Sequence, residues 1–218
     1  MILYGKKQMY KRIFYALKSF HYLTKKELQG VCTSYIDYTD LRFCSDLSSN
    51  LTSGTKINEN EDGLLYIHCD SNRLKDPQSE YVLVKRAMAK ILIELNIKYN
   101  LGIKNYHIEY CNRKSHINFY LHIETKIEGK SVNFCVYYIP QSNGIFNESV
   151  LSSFLKQHNK EDRIIFLIDN ISYLKEIAST ASKYDLVNNI ANTYILPDYE
   201  SLLKNFYIEE QYSIVSKK

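Results

Sequence analysis

The chain lacks several features that would assign a function directly. Its 218 residues include no tryptophan and only seven glycines, and neither a Gly-rich phosphate-binding loop nor a Gly-x-Ser-x-Gly nucleophile motif occurs. No stretch approaches the roughly 18 consecutive apolar residues of a membrane span. The first residues, MILYGKKQMYKR, show no signal-peptide pattern. We therefore expect a cytoplasmic protein that does not enter a membrane.

Metal and cofactor motifs are also missing. The five cysteines are odd in number, and no Cys-x-x-Cys pair occurs, which favours reduced core thiols over a disulfide framework. The spacings of His107, His116 and His122 match no common zinc-ligand pattern. The sequence thus predicts neither a metal site nor a cofactor.

Basic charge is concentrated at the N-terminal end. Residues 1–30 hold seven Lys or Arg residues and one Glu, whereas the net charge of the whole chain is +4. A basic end on a near-neutral body favours an anionic partner there, most often nucleic acid. The alternative is a solvated helix face, since helices carry such lysines routinely.

The first 70 residues show the order helix, helix, helix, hairpin. Apolar residues at three- and four-residue spacing predict a helix over residues 7–22, with Met9, Ile13, Phe14, Leu17 and Phe20 on its buried stripe. Thr24 and Glu27 form a Thr-x-x-Glu capping box, so a second helix begins near Lys25.

A third helix and a hairpin complete this region. The helix spans about residues 40–52, with an apolar side made by Leu41, Cys44, Leu47 and Leu51. The strands TKI and LLYIH then flank the turn NENEDG. This order is that of a winged helix, and similar three-helix folds also serve as protein-docking modules.

A polar linker precedes a second domain. Residues 71–80 contain Pro77 and lack periodicity, which predicts domains over residues 1–70 and 81–218. The second domain begins with a helix over residues 81–99 and continues with a three-stranded antiparallel meander. Its later elements are a helix (147–158), the strand RIIFLID buried on both faces in a parallel arrangement, a helix (171–184), a strand (192–196) and a helix (198–206).

The resulting order, αβββαβαβα, resembles the restriction-endonuclease-like core. Preceded by a winged helix-turn-helix, it is similar to the replication-relaxation family of bacterial mobile elements. The resemblance implies an α/β fold (α+β overall), DNA binding, and a nuclease-like domain whose metal-binding residues are kept or lost. It rests on element order and local pattern, without a single diagnostic motif.

The pair Glu124-x-Lys126 tests whether a nuclease site is kept. If Glu128-Gly129 is a two-residue turn, Phe119, Leu121 and Ile123 lie opposite Tyr138, Val136 and Phe134, all apolar. The acid and Glu-x-Lys positions of the family then fall on Asn118 and on Tyr137 to Ile139, which cannot serve as acids and lysine. Glu124 lies roughly 20 Å from Asn118, so the sequence predicts a degenerate, inactive site.

The sequence therefore favours a non-enzymatic DNA-binding regulator or accessory factor of a mobile element, acting in plasmid or transposon replication or transfer. The third helix would enter the major groove of double-stranded DNA, and the second domain would support homodimerisation or contact with a protein partner. The residues expected at DNA are Arg42, Ser45, Ser48, Ser49, Asn50 and Thr52 on that helix, with Lys25, Lys26 and Lys56 at phosphates.

Two features oppose this assignment. Asp40 and Asp46 lie on the same helix, and the turn NENEDG is acidic, so both would repel a phosphate backbone. The alternative function is protein–protein docking through the winged helix. A metal-dependent nuclease is the least favoured of the three.

Overall fold

The computed structural model describes residues 11–35, 37–52, 57–67, 76–100, 102–110, 119–127, 130–139, 152, 162–170, 172–183, 190–195 and 209–212. These residues form a mixed α/β protein, as predicted. The packing divides the chain into two compact units, Met1–Lys104 and Asn105–Lys218.

The first unit combines helices with a small sheet. Its elements are α1 (Lys11–Phe20), β1 (Leu23–Thr24), α2 (Lys25–Thr33), α3 (Asp40–Thr52), β2 (Ile57–Glu59), β3 (Leu64–Ile67) and α4 (Glu80–Tyr99). The three strands pair antiparallel in the order β1-β3-β2. The predicted order of three helices and a hairpin is confirmed, with β1 as an additional short strand.

Local sequence explains where α1 and α2 lie. Helix α1 buries Ile13, Leu17 and Phe20, as its periodicity predicts, whereas Phe14 is 39% exposed. The capping box of α2 is confirmed, because the Glu27 N–H donates to Thr24 Oγ1 at 3.1 Å and the Thr24 N–H donates to Glu27 Oε2 at 2.8 Å. Both otherwise unpaired backbone donors are thus satisfied where the helix begins.

Helix α4 packs within the first unit, whereas the sequence placed it at the start of a second domain over residues 81–218. Lys85 Nζ donates to the carbonyl oxygen of Ser19, in the last turn of α1, at 2.7 Å. Arg86 Nη2 contacts Glu27 Oε1 of α2 at 2.9 Å. Many apolar side chains of α4 are buried, and this helix packs against α1 and α2. The polar stretch at residues 71–80 therefore does not separate the two units.

The second unit is built on one six-stranded sheet. Its elements are β4 (Gly102–Tyr110, which spans the division between the units), β5 (Phe119–Ile127), β6 (Lys130–Ile139), β7 (Arg163–Ile168), α5 (Tyr173–Lys183), β8 (Ile190–Ile195) and β9 (Glu209–Tyr212). The sheet order follows the chain from β4 to β9. Strands β6, β7 and β8 are mutually parallel, while β5 pairs antiparallel with β6, and β9 pairs antiparallel with β8.

Most predictions for this unit hold where the structure describes the chain. Strand β7 buries Ile164–Ile168 on both faces between two parallel neighbours, as its continuous apolar run predicts. Strand β9 was not predicted. Apart from residue 152, the helices predicted over 147–158 and 198–206 lie outside the described residues.

Candidate nucleic-acid interface

Helix α3 buries a different face from the one that the spacing of its leucines predicts. The buried side chains are Phe43, Asp46, Leu47 and Asn50, whereas Leu41 is 85% and Leu51 is 50% exposed. The predicted apolar side of Leu41, Cys44, Leu47 and Leu51 is therefore wrong except for Leu47. Two polar residues take buried positions because each finds a hydrogen-bond partner.

A buried polar network fixes this orientation of α3. Tyr38 Oη donates to Asp46 Oδ2 at 2.8 Å, and Asn50 Nδ2 donates to the carbonyl oxygen of Asp46 at 2.7 Å. Burial raises the pKa of Tyr38 above the usual tyrosine value, and the hydrogen bond to Asp46 raises it further. Asn50 is 2% exposed, so the prediction that it contacts DNA is wrong.

The exposed face of α3 is rich in small hydroxyl side chains. Ser45 and Ser48 are exposed, and Ser49 is half-buried. All three can donate and accept hydrogen bonds, which is the chemistry predicted for base and phosphate contacts. The side chain of Thr52 and all of Lys56 lie outside the described residues.

Arg42, the predicted cation of α3, is exposed but held by neighbours. Its Nη1 donates to the carbonyl oxygen of Asp37 at 3.3 Å, and its Nε lies 4.0 Å from Asp46 Oδ2. Its guanidinium carbon lies 5.4 Å from the ring centroid of Tyr38. These contacts are long and partly solvated, so releasing Arg42 toward a phosphate costs only up to about 1 kcal/mol.

Two lysines stand at the start of α2. Lys25 and Lys26 are both exposed in its first turn. Their long side chains favour an anionic group beside this turn, while the N-terminal end of the helix is itself capped by Thr24 and the Glu27 carboxylate. Sequence and structure therefore agree that the first turn of α2 is basic.

The turn between β2 and β3 is acidic and well ordered by its own side chains. Asn60 Oδ1 accepts from the N–H groups of Asp62 at 3.1 Å and Leu64 at 2.8 Å, and Gly63 has a φ of 73° that favours glycine. Glu59, Glu61 and Asp62 point into solvent as exposed residues. A phosphate backbone at this turn would be repelled.

In the second unit, the predicted pairing of β5 with β6 is confirmed. Phe119 lies opposite Tyr138, Leu121 opposite Val136, and Ile127 opposite Lys130. Asn118, where the resemblance would place the first acid, lies outside the described residues.

The positions at which the resemblance would place the Glu-x-Lys pair belong to a hydrophobic core. Tyr137 and Ile139 are each 3% exposed and belong to a cluster with Phe166 and Ile168 of β7 and with residues of α5. The residues of α5 in this cluster are Tyr173, Ile177 and Ala181. Because α5 covers this sheet face at β6 and β7, the location holds packed apolar groups instead of a metal-binding acid and a lysine.

Glu124 and Lys126 face a separate row of polar side chains. Glu124 lies opposite Asn133, and Asn133 Nδ2 donates to Asp162 Oδ1 at 3.2 Å. Glu124 and Asp162 are therefore separated by two strand spacings, roughly 10 Å between backbones. Among the described residues, no third His, Cys, Asp or Glu side chain joins these two acids in a group that could hold a metal ion. Asp162 was missed by the sequence argument, because a β6–β7 parallel register cannot be read from either strand alone.

Metal-ligand groups are scattered over the described part of the chain. Among those residues, no three His, Cys, Asp or Glu side chains come together in a way that could hold a metal ion. His107 is exposed and His122 lies opposite the buried Cys135, while Cys111 and His116 fall outside the described range.

No family model matches the chain, and no curated protein matches it either. Within the described residues, no helix combines the length and the apolar character that crossing a membrane requires.

Proposed function

We propose that this protein is a non-enzymatic DNA-binding factor whose first unit is a winged helix. The observation that supports this most directly is the geometry around α3: three helices with a β1-β3-β2 antiparallel sheet, and an exposed α3 face with Arg42, Ser45 and Ser48. A helix of this kind docks in the major groove, where hydroxyl and guanidinium groups contact bases and phosphates.

The second unit has a supporting role in this proposal. We take it to be a restriction-endonuclease-like domain that lost its metal site, used for dimerisation or for contact with a protein partner. The burial of Tyr137 and Ile139 under α5 supports the absence of nuclease activity. A role in plasmid or transposon replication or transfer rests on the resemblance to the replication-relaxation family.

A titration with duplex DNA tests the proposal. Fluorescence anisotropy at about 50 and 200 mM salt measures how steeply affinity falls as counterions compete for phosphates. For the variant Lys25→Glu/Lys26→Glu/Arg42→Glu we expect at least about a tenfold loss of affinity. The slope of log affinity against log salt concentration should also be smaller in magnitude by about three.

The matched control reverses three positive charges in the second unit. Lys126, Lys130 and Lys175 are exposed lysines of the second unit, and their triple substitution to Glu changes the net charge equally. This control should retain most of the affinity. Two results would overturn DNA binding through the first unit. One is wild-type protein that fails to bind at about 50 mM salt, and the other is a control that binds DNA as weakly as the Lys25→Glu/Lys26→Glu/Arg42→Glu variant.

Protein docking through the same helix is the second candidate. Leu41 and Leu51 are exposed on α3 together with Cys44, and such apolar side chains are typical of protein contacts. Substituting both leucines with Ser distinguishes the two functions. Unchanged DNA affinity with loss of a self-association or partner complex, measured by sedimentation, favours docking, whereas weaker DNA binding favours the first proposal.

A further inference from the structure

The turn between α2 and α3 brings together two arginines that are far apart in the sequence. Arg12 lies in the first turn of α1, and Arg42 lies in the first turn of α3. Both contact Asp37 in the turn, since Arg12 Nη2 pairs with the Asp37 carboxylate and Arg42 Nη1 donates to the Asp37 carbonyl oxygen at 3.3 Å. Two guanidinium groups thus meet at one residue, beside the start of α3.

Two tyrosine rings hold these guanidinium groups in place. The Arg12 guanidinium carbon lies 3.9 Å from the ring centroid of Tyr35 and 5.7 Å from that of Tyr38, and the Arg42 guanidinium carbon lies 5.4 Å from the Tyr38 centroid. Both rings are buried, and Tyr38 Oη is bonded to Asp46 of α3. A cation held against a fixed ring loses little further mobility when it binds an anion, so the two arginines are preorganised.

Arg12 has donor capacity beyond its ion pair with Asp37. Its Nη1 is buried and, within the part of the chain that the structure describes, has no hydrogen-bond partner. A guanidinium carries its N–H donors in a planar fork that fits the paired oxygen atoms of a carboxylate or a phosphate. The Asp37 side chain is 66% exposed, whereas that of Arg12 is 26% exposed. The carboxylate can therefore turn into water while the guanidinium stays in place.

The Asp37 carboxylate marks a position that suits an anion. An ion pair with one partner this exposed contributes little to stability, so an incoming anion can displace the carboxylate at low cost. A backbone phosphate of nucleic acid carries the same charge, and its two unesterified oxygens can accept hydrogen bonds from Arg12 and Arg42 at once. The Asp37 carboxylate accepts only from Arg12, because Arg42 donates to the backbone carbonyl of Asp37 instead.

We propose that Arg12 and Arg42 form a phosphate site at the start of α3, which Asp37 occupies in the free protein and a DNA backbone phosphate occupies in the complex. Each arginine donates to one phosphate oxygen, and the Asp37 side chain turns into solvent. Because the carboxylate competes with the phosphate, Asp37 lowers the affinity for DNA. This inference rests on the proposed DNA binding by the first unit, and it adds Arg12 to the residues expected to contact DNA.

Removal of the competing carboxylate tests the proposal. Asp37→Asn keeps the shape of the side chain but removes its charge, and we expect a duplex of about 20 base pairs to bind about threefold to tenfold more tightly in fluorescence anisotropy at about 100 mM salt. Asp40→Asn removes the same charge from an exposed residue of the first turn of α3 and serves as the control. The control should bind the duplex less than about twofold more tightly than the wild type.

A double-mutant cycle links the expected gain to Arg12. Arg12→Lys keeps the charge but loses the planar fork, so we expect DNA affinity about threefold lower, whereas Arg12→Gln loses both and should bind at least about tenfold more weakly. In an Arg12→Gln background, the gain from Asp37→Asn should shrink to that of the Asp40→Asn control. If the ion pair served folding alone, Asp37→Asn would leave DNA affinity unchanged or lower it. Circular dichroism checks that each variant is folded.

The arginine side chains give an independent measurement. The chain contains six arginines, so the Nε–H signals of the ¹⁵N-labelled protein can be assigned by single substitutions. When the duplex is added, we expect the signals of Arg12 and Arg42 to shift together and to saturate at the affinity that anisotropy measures. Arg163, an exposed residue of β7 in the second unit, serves as the control and its signal should stay in place.

Two results would overturn the phosphate site while the proposed function stands, both obtained with wild-type protein that binds the duplex. One is a gain in Asp37→Asn no larger than that in Asp40→Asn. The other is a shift of the Arg42 signal without a shift of the Arg12 signal. Wild-type protein that fails to bind the duplex at about 50 mM salt would overturn DNA binding itself, and the phosphate site with it.

Discussion

Helix α3 of the first unit buries two polar side chains beside Phe43 and Leu47, whereas strands β6 and β7 of the second unit bury mainly apolar ones. On α3, Asp46 and Asn50 are inside with hydrogen-bond partners while Leu41 is in solvent. In β6 and β7, the run from Ile164 to Ile168 is apolar on both faces, and Tyr137 is closed off by α5. The exposed face of α3, which includes leucines, is accessible to a binding partner, whereas the side chains of β6 and β7 are buried in the core.

The largest effect on stability is expected when charged side chains are placed in the apolar core of the second unit. The double substitution Tyr137→Asp/Ile139→Lys places an acid and a lysine in β6, where it buries two charges in the core of the second unit. We expect a loss of at least about 4 kcal/mol in the free energy of unfolding, or no folded protein, because the core offers no water to these groups. Urea denaturation followed by circular dichroism measures this.

The matched control places charge in the same strand at an exposed site. Ser131 of β6 is exposed, so Ser131→Asp should change the free energy of unfolding by less than about 0.5 kcal/mol. A stable double variant that binds Mn²⁺ would contradict the conclusion that this location is only a core.

A smaller effect should distinguish the two aspartates of α3. Asp46→Ala leaves the buried Tyr38 hydroxyl without its acceptor, and we expect a loss of about 2 kcal/mol in the free energy of unfolding. Asp40→Ala removes an exposed acid from the first turn of the same helix, which costs only about 0.5 kcal/mol. Equal losses in chemical denaturation would mean that the Asp46 network does not orient α3.

The smallest effect concerns alkaline pH. The pKa of Tyr38 is raised in the folded protein, so its contribution to stability is complete below the unfolded value of about 10 and declines as pH rises toward the higher folded value. One tyrosine contributes a slope of up to about 1.4 kcal/mol per pH unit above that point.

The variant Tyr38→Phe isolates the contribution of Tyr38 to the pH dependence of the free energy of unfolding. Its free energy of unfolding should be lower than that of the wild type at neutral pH but should fall less steeply between about pH 10 and 10.5. Denaturant titrations at three pH values give both numbers. Parallel pH profiles for the two proteins would show that Tyr38 does not titrate with unfolding.

Local signals in the sequence determined a large part of this protein. The capping box at Thr24 set where α2 begins, because the two hydrogen bonds involve residues three apart in the chain. The two-residue turn and the alternating apolar residues likewise predicted every pairing between Phe119 and Ile127 of β5 and their partners in β6, since side chains in a strand repeat with a period of two.

Only the tertiary structure decided which faces are exposed and which helix belongs to which unit. The buried side of α3 depends on Tyr38 meeting Asp46, and the position of α4 depends on Arg86 meeting Glu27, 59 residues away in the chain. Gly30 leaves room for the Ile93 side chain of α4, and the parallel pairing of β6 with β7 brings Asp162 to Asn133. Periodicity within one segment reports how its own residues alternate, whereas these contacts require partners that a single segment does not contain.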